Sequence, residues 1–290
     1  MLINEVCKKT KLTKKAVEYY VLQGLLSPEV SKNGYRNFRK EDAERLSKIS
    51  VLRKLGLGIE DIKAVLSDSS NAVLQKLSVR KELLSRKALK KAAILEELSC
   101  GRDYQEISRE LDALEQNATI EERLLNSFPG YYGKFICLHF ASFLDEPVSS
   151  ENQKEAYQEI IDFLDNVPEL QFPEEIQEYL EENTSGITVE QINSIVEKQK
   201  KSVEEPEKFL EENKETLEFF YRYMQSEEYK ASPAYKFRLL LKEFNQSTGY
   251  YDVFIPAMKK LSPAYAKYQQ LIEIAGEKLL AAYPQQEENI

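Results

Sequence analysis

The sequence predicts a mainly α-helical protein: short helices around one β-hairpin, then a long pairing helix, then a large all-helical C-terminal region. Three observations carry this. Gly and Pro number ten each in 290 residues, where average usage would give roughly 20 and 15, so few breakers interrupt the chain. Residues 71–99 hold neither and repeat apolar side chains at heptad spacing. Charge also divides the chain. Residues 1–70 carry 14 basic and 9 acidic side chains, residues 71–119 carry 9 and 8, and residues 120–290 carry 17 and 32.

The formal net charge of −9, read whole, argues against an anionic partner; the +5 of the first seventy residues argues for one at that end only. Residues 2–23 split into two short helices anchored by Leu2, Val6 and Leu12. Thr13 is a capping residue ahead of Lys14, Lys15 and the Tyr19-Tyr20 pair, which places two cations in a first turn and two rings in the second. Asn33-Gly34, between Val30 and Tyr35, is a hairpin signal, with Lys32, Arg36, Arg39 and Lys40 on or beside it. A second helix pair follows, Glu41 to Leu55 and Gly58 to Val65. A basic hairpin beside a helix-turn-helix is a winged-helix arrangement, in which the second helix enters a DNA major groove and the wing lies against phosphates.

The stretch 71–99 reads as one helix with a pairing seam. Taking Leu74 as a and Leu77 as d, the a series is Leu74, Lys81, Ala88 and Leu95, and the d series is Leu77, Leu84, Lys91 and Leu98. Six of these eight positions are apolar, which favours a two-stranded coiled coil. The expected domains are therefore 1–69, a winged-helix head; 70–102, a dimerisation helix; and 103–290, a helical body.

Helix starts in the body are legible. Asp103 with Glu106 and Thr188 with Gln191 form candidate capping boxes. Ser149 or Ser150 caps a helix to Asn166, and Pro173 opens a helix to Leu180. One long helix is expected from about Glu207 to Met224. Ser-Pro-Ala-Tyr occurs at 232–235 and 262–265; two capped helix starts explain it better than a duplicated unit.

Several function classes are excluded. No apolar run approaches the ~18 residues of a membrane span; Ile136 to Leu144 is interrupted by His139 and Ser142. The opening MLINEVCKKTKL lacks a signal peptide's pattern, so a cytoplasmic location and no membrane partner are expected. Cys7, Cys100 and Cys137 are too few and too scattered for a disulfide framework. One His, no Gly-rich phosphate loop and carboxylates spread along helix faces give catalysis no support. No cofactor is expected.

The run LTKKAVEYYVLQGLLSP, then KNGYRNFRKEDAERL, then LRKLGLGIEDIKAVL, resembles the DNA-binding domain of the MerR family of bacterial transcription regulators. The resemblance covers about residues 2–66 and extends in architecture through the pairing helix. It implies a homodimer held by an antiparallel coiled coil on a palindromic promoter site with an overlong spacer. It also implies that an effector makes the dimer untwist and bend that double-stranded DNA until RNA polymerase engages both promoter elements, at a deformation cost of a few kcal/mol. On that basis Tyr19, Tyr20 and Arg36 fall on phosphate-contacting positions and Lys14 and Lys15 on the recognition helix; Thr13, Glu18, Lys32, Asn33, Tyr35 and Arg39 complete the candidate set.

Two departures stand out. Glu18 occupies a position where the family commonly has Arg, and it either reads a cytosine N4 or pairs with Lys14 or Lys15 along the helix, the latter being favoured. Arg39 replaces the Ser or Thr that usually caps the next helix, a loss of about 1 kcal/mol.

Residues 120–290 hold 25 of the 30 aromatic residues. Tyr131, Tyr132, Tyr157, Phe219, Phe220, Tyr223, Tyr250 and Tyr251 are candidates for a pocket holding a small organic effector, aromatic or cationic; for any single ring, core filling is the simpler reading. Cys100 lies near where the metal-sensing branch of the family places ligands, but that branch's compact second thiol loop is missing. Cys137 and His139, two apart, point roughly 200° apart on a helix, and no metal site is expected. The rival reading is a sequestration or protein-interaction module tethered to DNA without allosteric control. A purely architectural DNA binder would have no ligand-sized cavity.

Overall fold

The computed structural model describes residues 1–31, 34–68, 71–128, 130–144 and 148–284; Lys32 and Asn33 of the expected turn lie outside them. The chain divides into two compact units, Met1–Leu77 and Ser78–Ile290.

In the first unit, α1 (Ile3–Thr10) and α2 (Lys14–Leu22) are separated by Lys11, whose φ of 57° breaks the helix. Thr13 caps α2, its Oγ1 accepting the Ala16 N–H at 3.2 Å. Strands β1 (Glu29–Val30) and β2 (Arg36–Asn37) pair antiparallel, Glu29 opposite Asn37 and Val30 opposite Arg36. Gly34 supplies the left-handed φ of 81° that the connection needs. Then come α3 (Lys40–Lys54) and α4 (Ile59–Ser67). Val6, Val17, Leu25, Phe38, Leu46, Ile49 and Ile62 form one core. Of the expected anchors, Val6 is fully buried and Leu12 partly so, whereas Leu2 is 52% exposed.

Helix α5 (Ala72–Ser99) is the expected single long helix, but its first turns belong to the first unit and the rest to the second. Leu77 is buried in the first unit's core with Leu74 partly buried beside it, so these two seam positions are taken up within the chain. Leu84 and Leu95 remain 57% and 66% exposed, Ala88 is exposed and Leu98 half-buried.

In the second unit the chain reverses at Gly101 and Asp103 caps α6 (Tyr104–Ser127), its Oδ1 accepting from the N–H groups of Gln105 and Glu106. Helices α5 and α6 run antiparallel, bridged by Arg80 to Glu122 and by Lys87 and Lys91 to Glu115. The two lysines hold the Glu115 carboxyl down at about 2. Helix α7 (Gly130–Ala141) returns against α6. At Gly133 a Cβ would lie 2.0 Å from the Phe128 carbonyl oxygen, so only glycine permits this approach.

The remaining helices are α8 (Glu151–Asn166), α9 (Glu174–Thr184), α10 (Val189–Glu204), α11 (Pro206–Glu212), α12 (Lys214–Met224), α13 (Glu227–Ala231) and α14 (Pro233–Ser247). A π-helical turn, Tyr250–Phe254, leads into α15 (Ile255–Leu261), and α16 (Pro263–Ala282) follows. Ser150 with Gln153 and Thr188 with Gln191 form reciprocal caps. Ser232 and Ser262 each accept from the N–H three residues on. The single helix expected from Glu207 to Met224 is instead broken at Asn213. Pro173 is the cap rather than the first helical residue. The core gathers on α6, α7, α8 and α15, where Phe254 meets Phe140 edge-on at 4.9 Å and Phe163 at 5.2 Å.

Candidate nucleic-acid interface

In the first unit, the start of α1, the outer face of α2 and the hairpin enclose a cleft of about 580 Å³ lined by Leu2, Ile3, Asn4, Lys14, Glu18, Val30, Gly34, Tyr35 and Arg36. Four residues singled out from sequence, Lys14, Glu18, Tyr35 and Arg36, thus converge although they come from two separate segments. Asn4 was missed. It lies in the first turn of α1, where no sequence pattern marks it, and only the hairpin's return brings it into the same cleft as Arg36.

Helical phase decides which α2 residues face out. Val17 and Tyr20, three apart, are buried, while Lys14 and Lys15 are exposed and Tyr19 is 46% exposed. Tyr20 is therefore a core residue whose ring meets that of Tyr19 at 5.8 Å; of the pair, Tyr19 presents its ring to solvent. Lys14 Nζ lies 3.9 Å from Glu18 Oε1, the local pairing favoured from sequence. Thr13 is engaged in capping.

On the hairpin, Tyr35 is 64% exposed and Arg36 is exposed. Arg39 forms an ion pair with Glu29 on β1, which raises its already high pKa. Its charge is compensated within the unit rather than standing free beside the wing. The lost cap is made good in part by Asp42, whose Oδ2 accepts the Arg39 N–H at 2.8 Å. The Met1 amino group donates to Asn37 Oδ1 at 3.0 Å and to the Phe38 carbonyl at 2.7 Å, tying the start of the chain to β2.

The candidate effector residues of the second unit do not form one pocket. Tyr132 and Tyr250 come together: burial pushes the Tyr132 hydroxyl up to about 12 and raises Tyr250 well above the ordinary value, with Tyr132 adding to the shift of Tyr250. Tyr251 meets Tyr250 at 5.3 Å but is 53% exposed. Tyr131 stacks on Phe135, and Tyr157 is half-buried against the core. Phe219, Phe220 and Tyr223 lie on the outward side of α12, with Phe219 71% exposed. The Asn245 side chain hydrogen-bonds Tyr132, and among the described residues its Oδ1 is buried without a partner.

Cys137 is buried, donates to the Glu121 carbonyl at 3.4 Å, and has its thiol pKa raised by burial. His139 sits among Phe135, Phe140, Phe143, Tyr265 and Tyr268. Burial, aided by Lys200, pulls its pKa down to about 4. Cys100 is exposed. Among the described residues no group of three or more His, Cys, Asp or Glu side chains is placed to hold a metal ion, and no helix is long and apolar enough to cross a membrane.

Residues 1–69 match the family model of the MerR HTH family regulatory proteins. The HTH-type transcriptional regulator CueR of Yersinia pestis is 28% identical over 149 residues, covering 50% of this chain and 98% of that protein. The Vibrio cholerae protein of the same name is 28% identical over 134 residues, 46% and 84% of the two chains. The Salmonella typhi protein is 30% identical over 89 residues, 30% of this chain, and this chain spans 64% of its length.

Proposed function

We propose, from the premise that residues 1–69 are a MerR-type helix-turn-helix domain, that the chain is a DNA-binding transcription regulator. In this reading it acts as a homodimer on a palindromic promoter site and alters the geometry of that DNA, and thereby RNA polymerase access, when a small organic molecule binds the second unit. The observation that carries it is the convergence of Lys14, Tyr35 and Arg36 on one cleft between helix and hairpin. Lys14 and Lys15 start α2, the position from which a recognition helix reaches base edges. Arg36 and Tyr35 project from the hairpin, where a cation and a hydroxyl position the protein on phosphates. Arg39 and Tyr20, paired and buried respectively, are second to these in the proposed contact set.

The stripe Leu84, Ala88, Leu95 and Leu98 is the proposed dimer seam. It keeps heptad phase and stays largely open in the single chain, whereas Leu74 and Leu77 help fill the head core.

The test is binding of the full-length protein to its own promoter region across salt concentrations. A linear fall of log K with log salt, with preference over random DNA, supports the reading. No preference would overturn it. The alternative, a tethered sequestration or interaction module, draws on the outward aromatic face of α12. It predicts tight ligand binding that leaves DNA conformation and transcription unchanged.

A further inference from the structure

Helices α5 and α6 are bridged by ion pairs along their length, yet they do not close on each other. Between them run two adjacent cavities of about 360 and 350 Å³ that share Lys90, Leu114 and Asn117 in their linings. Volumes of this size are in the range that encloses small organic molecules. Leu83, Leu89, Ala93, Ala118 and Leu144 supply apolar wall, the alanines leaving the space open.

Asn117 is a polar residue shared by both cavities, and it is only 6% exposed. Its Nδ2 donates to the Leu144 carbonyl at 2.6 Å, and among the described residues nothing donates to its Oδ1. A buried amide with one half satisfied fixes its orientation and leaves a directed acceptor.

The rim charges are already engaged. Lys87 pairs with Glu115, Arg86 with Glu82, and Glu97 and Glu110 with Arg102; Lys90 and Glu121 have interactions of their own. An ionic guest would have to break one of these pairs, whereas an uncharged one leaves them intact.

We infer that the α5–α6 cleft binds an uncharged, largely apolar small molecule carrying one hydrogen-bond donor for Asn117 Oδ1. Calling that molecule an effector rests on the regulator reading above; the binding site itself does not.

The test uses full-length protein and N-phenyl-1-naphthylamine, a neutral apolar fluorophore with one N–H, followed by its fluorescence on transfer out of water. Saturable binding is expected, weakened about tenfold for the N-methylated analogue, which lacks the donor. Leu114→Trp, which enlarges a side chain lining both cavities, should abolish it with helical content and oligomeric state unchanged. Ala118→Phe serves where that variant does not fold. Phe219→Ser with Phe220→Ser, on the outward face of α12, should leave binding intact. Absence of saturable binding, or binding untouched by Leu114→Trp and Ala118→Phe, overturns the inference. So does a Leu114→Trp protein that becomes monomeric, because the cleft would then be the seat of a second copy. DNA affinity measured on the same samples is independent of all these results, so the regulator reading fails or survives separately.

Discussion

Lys14 Nζ stands 3.9 Å from Glu18 Oε1, one helical turn along α2, with both side chains partly open to solvent. The first cation of the proposed recognition helix is thereby partly neutralised by the helix that carries it. An exposed pair of this kind is worth little to stability, so its consequence lies in DNA binding.

Glu18→Gln removes the repulsion of phosphate and releases Lys14. Affinity for DNA at fixed salt should rise about three- to tenfold, and the salt slope should steepen by up to about one. A fall in affinity confined to one operator base would show instead that Glu18 reads a cytosine N4.

Arg36→Ala should weaken binding to all DNA sequences alike and reduce the salt slope by about one, as for a lost phosphate contact. Fluorescence anisotropy at four salt concentrations, on native and random duplexes, measures both. An unchanged slope places Arg36 off the DNA.

Leu84→Asp with Leu95→Asp places two carboxylates on the exposed stripe of α5. Sedimentation equilibrium should report a monomer that keeps its helical content, since neither side chain is part of the intrachain core. A persistent dimer refutes this seam.

His139 has a pKa depressed to about 4 by burial, against about 6.5 in an unfolded chain. Between those values the unfolded state binds the additional proton, so stability falls as pH drops from about 6.5 to 4, by on the order of 3 kcal/mol in full. His139→Phe replaces the ring within its aromatic surroundings and removes that contribution. Urea unfolding across this pH range should show a shallower acid slope for the variant; an identical slope would mean the imidazole is not held neutral.

Gly133→Ala forces a methyl onto the Phe128 carbonyl, 2.0 Å away in the native backbone. Either the carbonyl moves or α7 separates from α6, and a loss of about 2 kcal/mol or more is expected. Thermal unfolding with no decrease in Tm would show that the α6–α7 turn yields freely.

Local features follow from the amino-acid order alone. Thr13, Ser150, Thr188, Ser232 and Ser262 cap helices because each is a short oxygen-bearing side chain three residues ahead of an unpaired N–H, an interaction complete within one turn. The hairpin and the unbroken run of α5 were legible for the same reason, since turn chemistry and heptad phase are short-range. The break at Asn213 was not legible, because the flanking residues are good helix formers and only the separate packing of α11 and α12 divides them.

Tertiary structure decided which side of each helix is inside. Val17 and Tyr20 turn inward on α2, which makes Tyr20 a core ring and leaves Tyr19 outside. Leu74 and Leu77 fit a seam by spacing, but the head core takes them up. Arg39 reads as a free cation until Glu29 is brought to it by the hairpin. Asn117 looks like an ordinary polar residue in an amphipathic helix until the return of α7 buries it beside Leu144. Spacing along a helix fixes which side chains share a face, whereas burial and pairing depend on what the rest of the chain places opposite that face. The latter is long-range information that no local pattern carries.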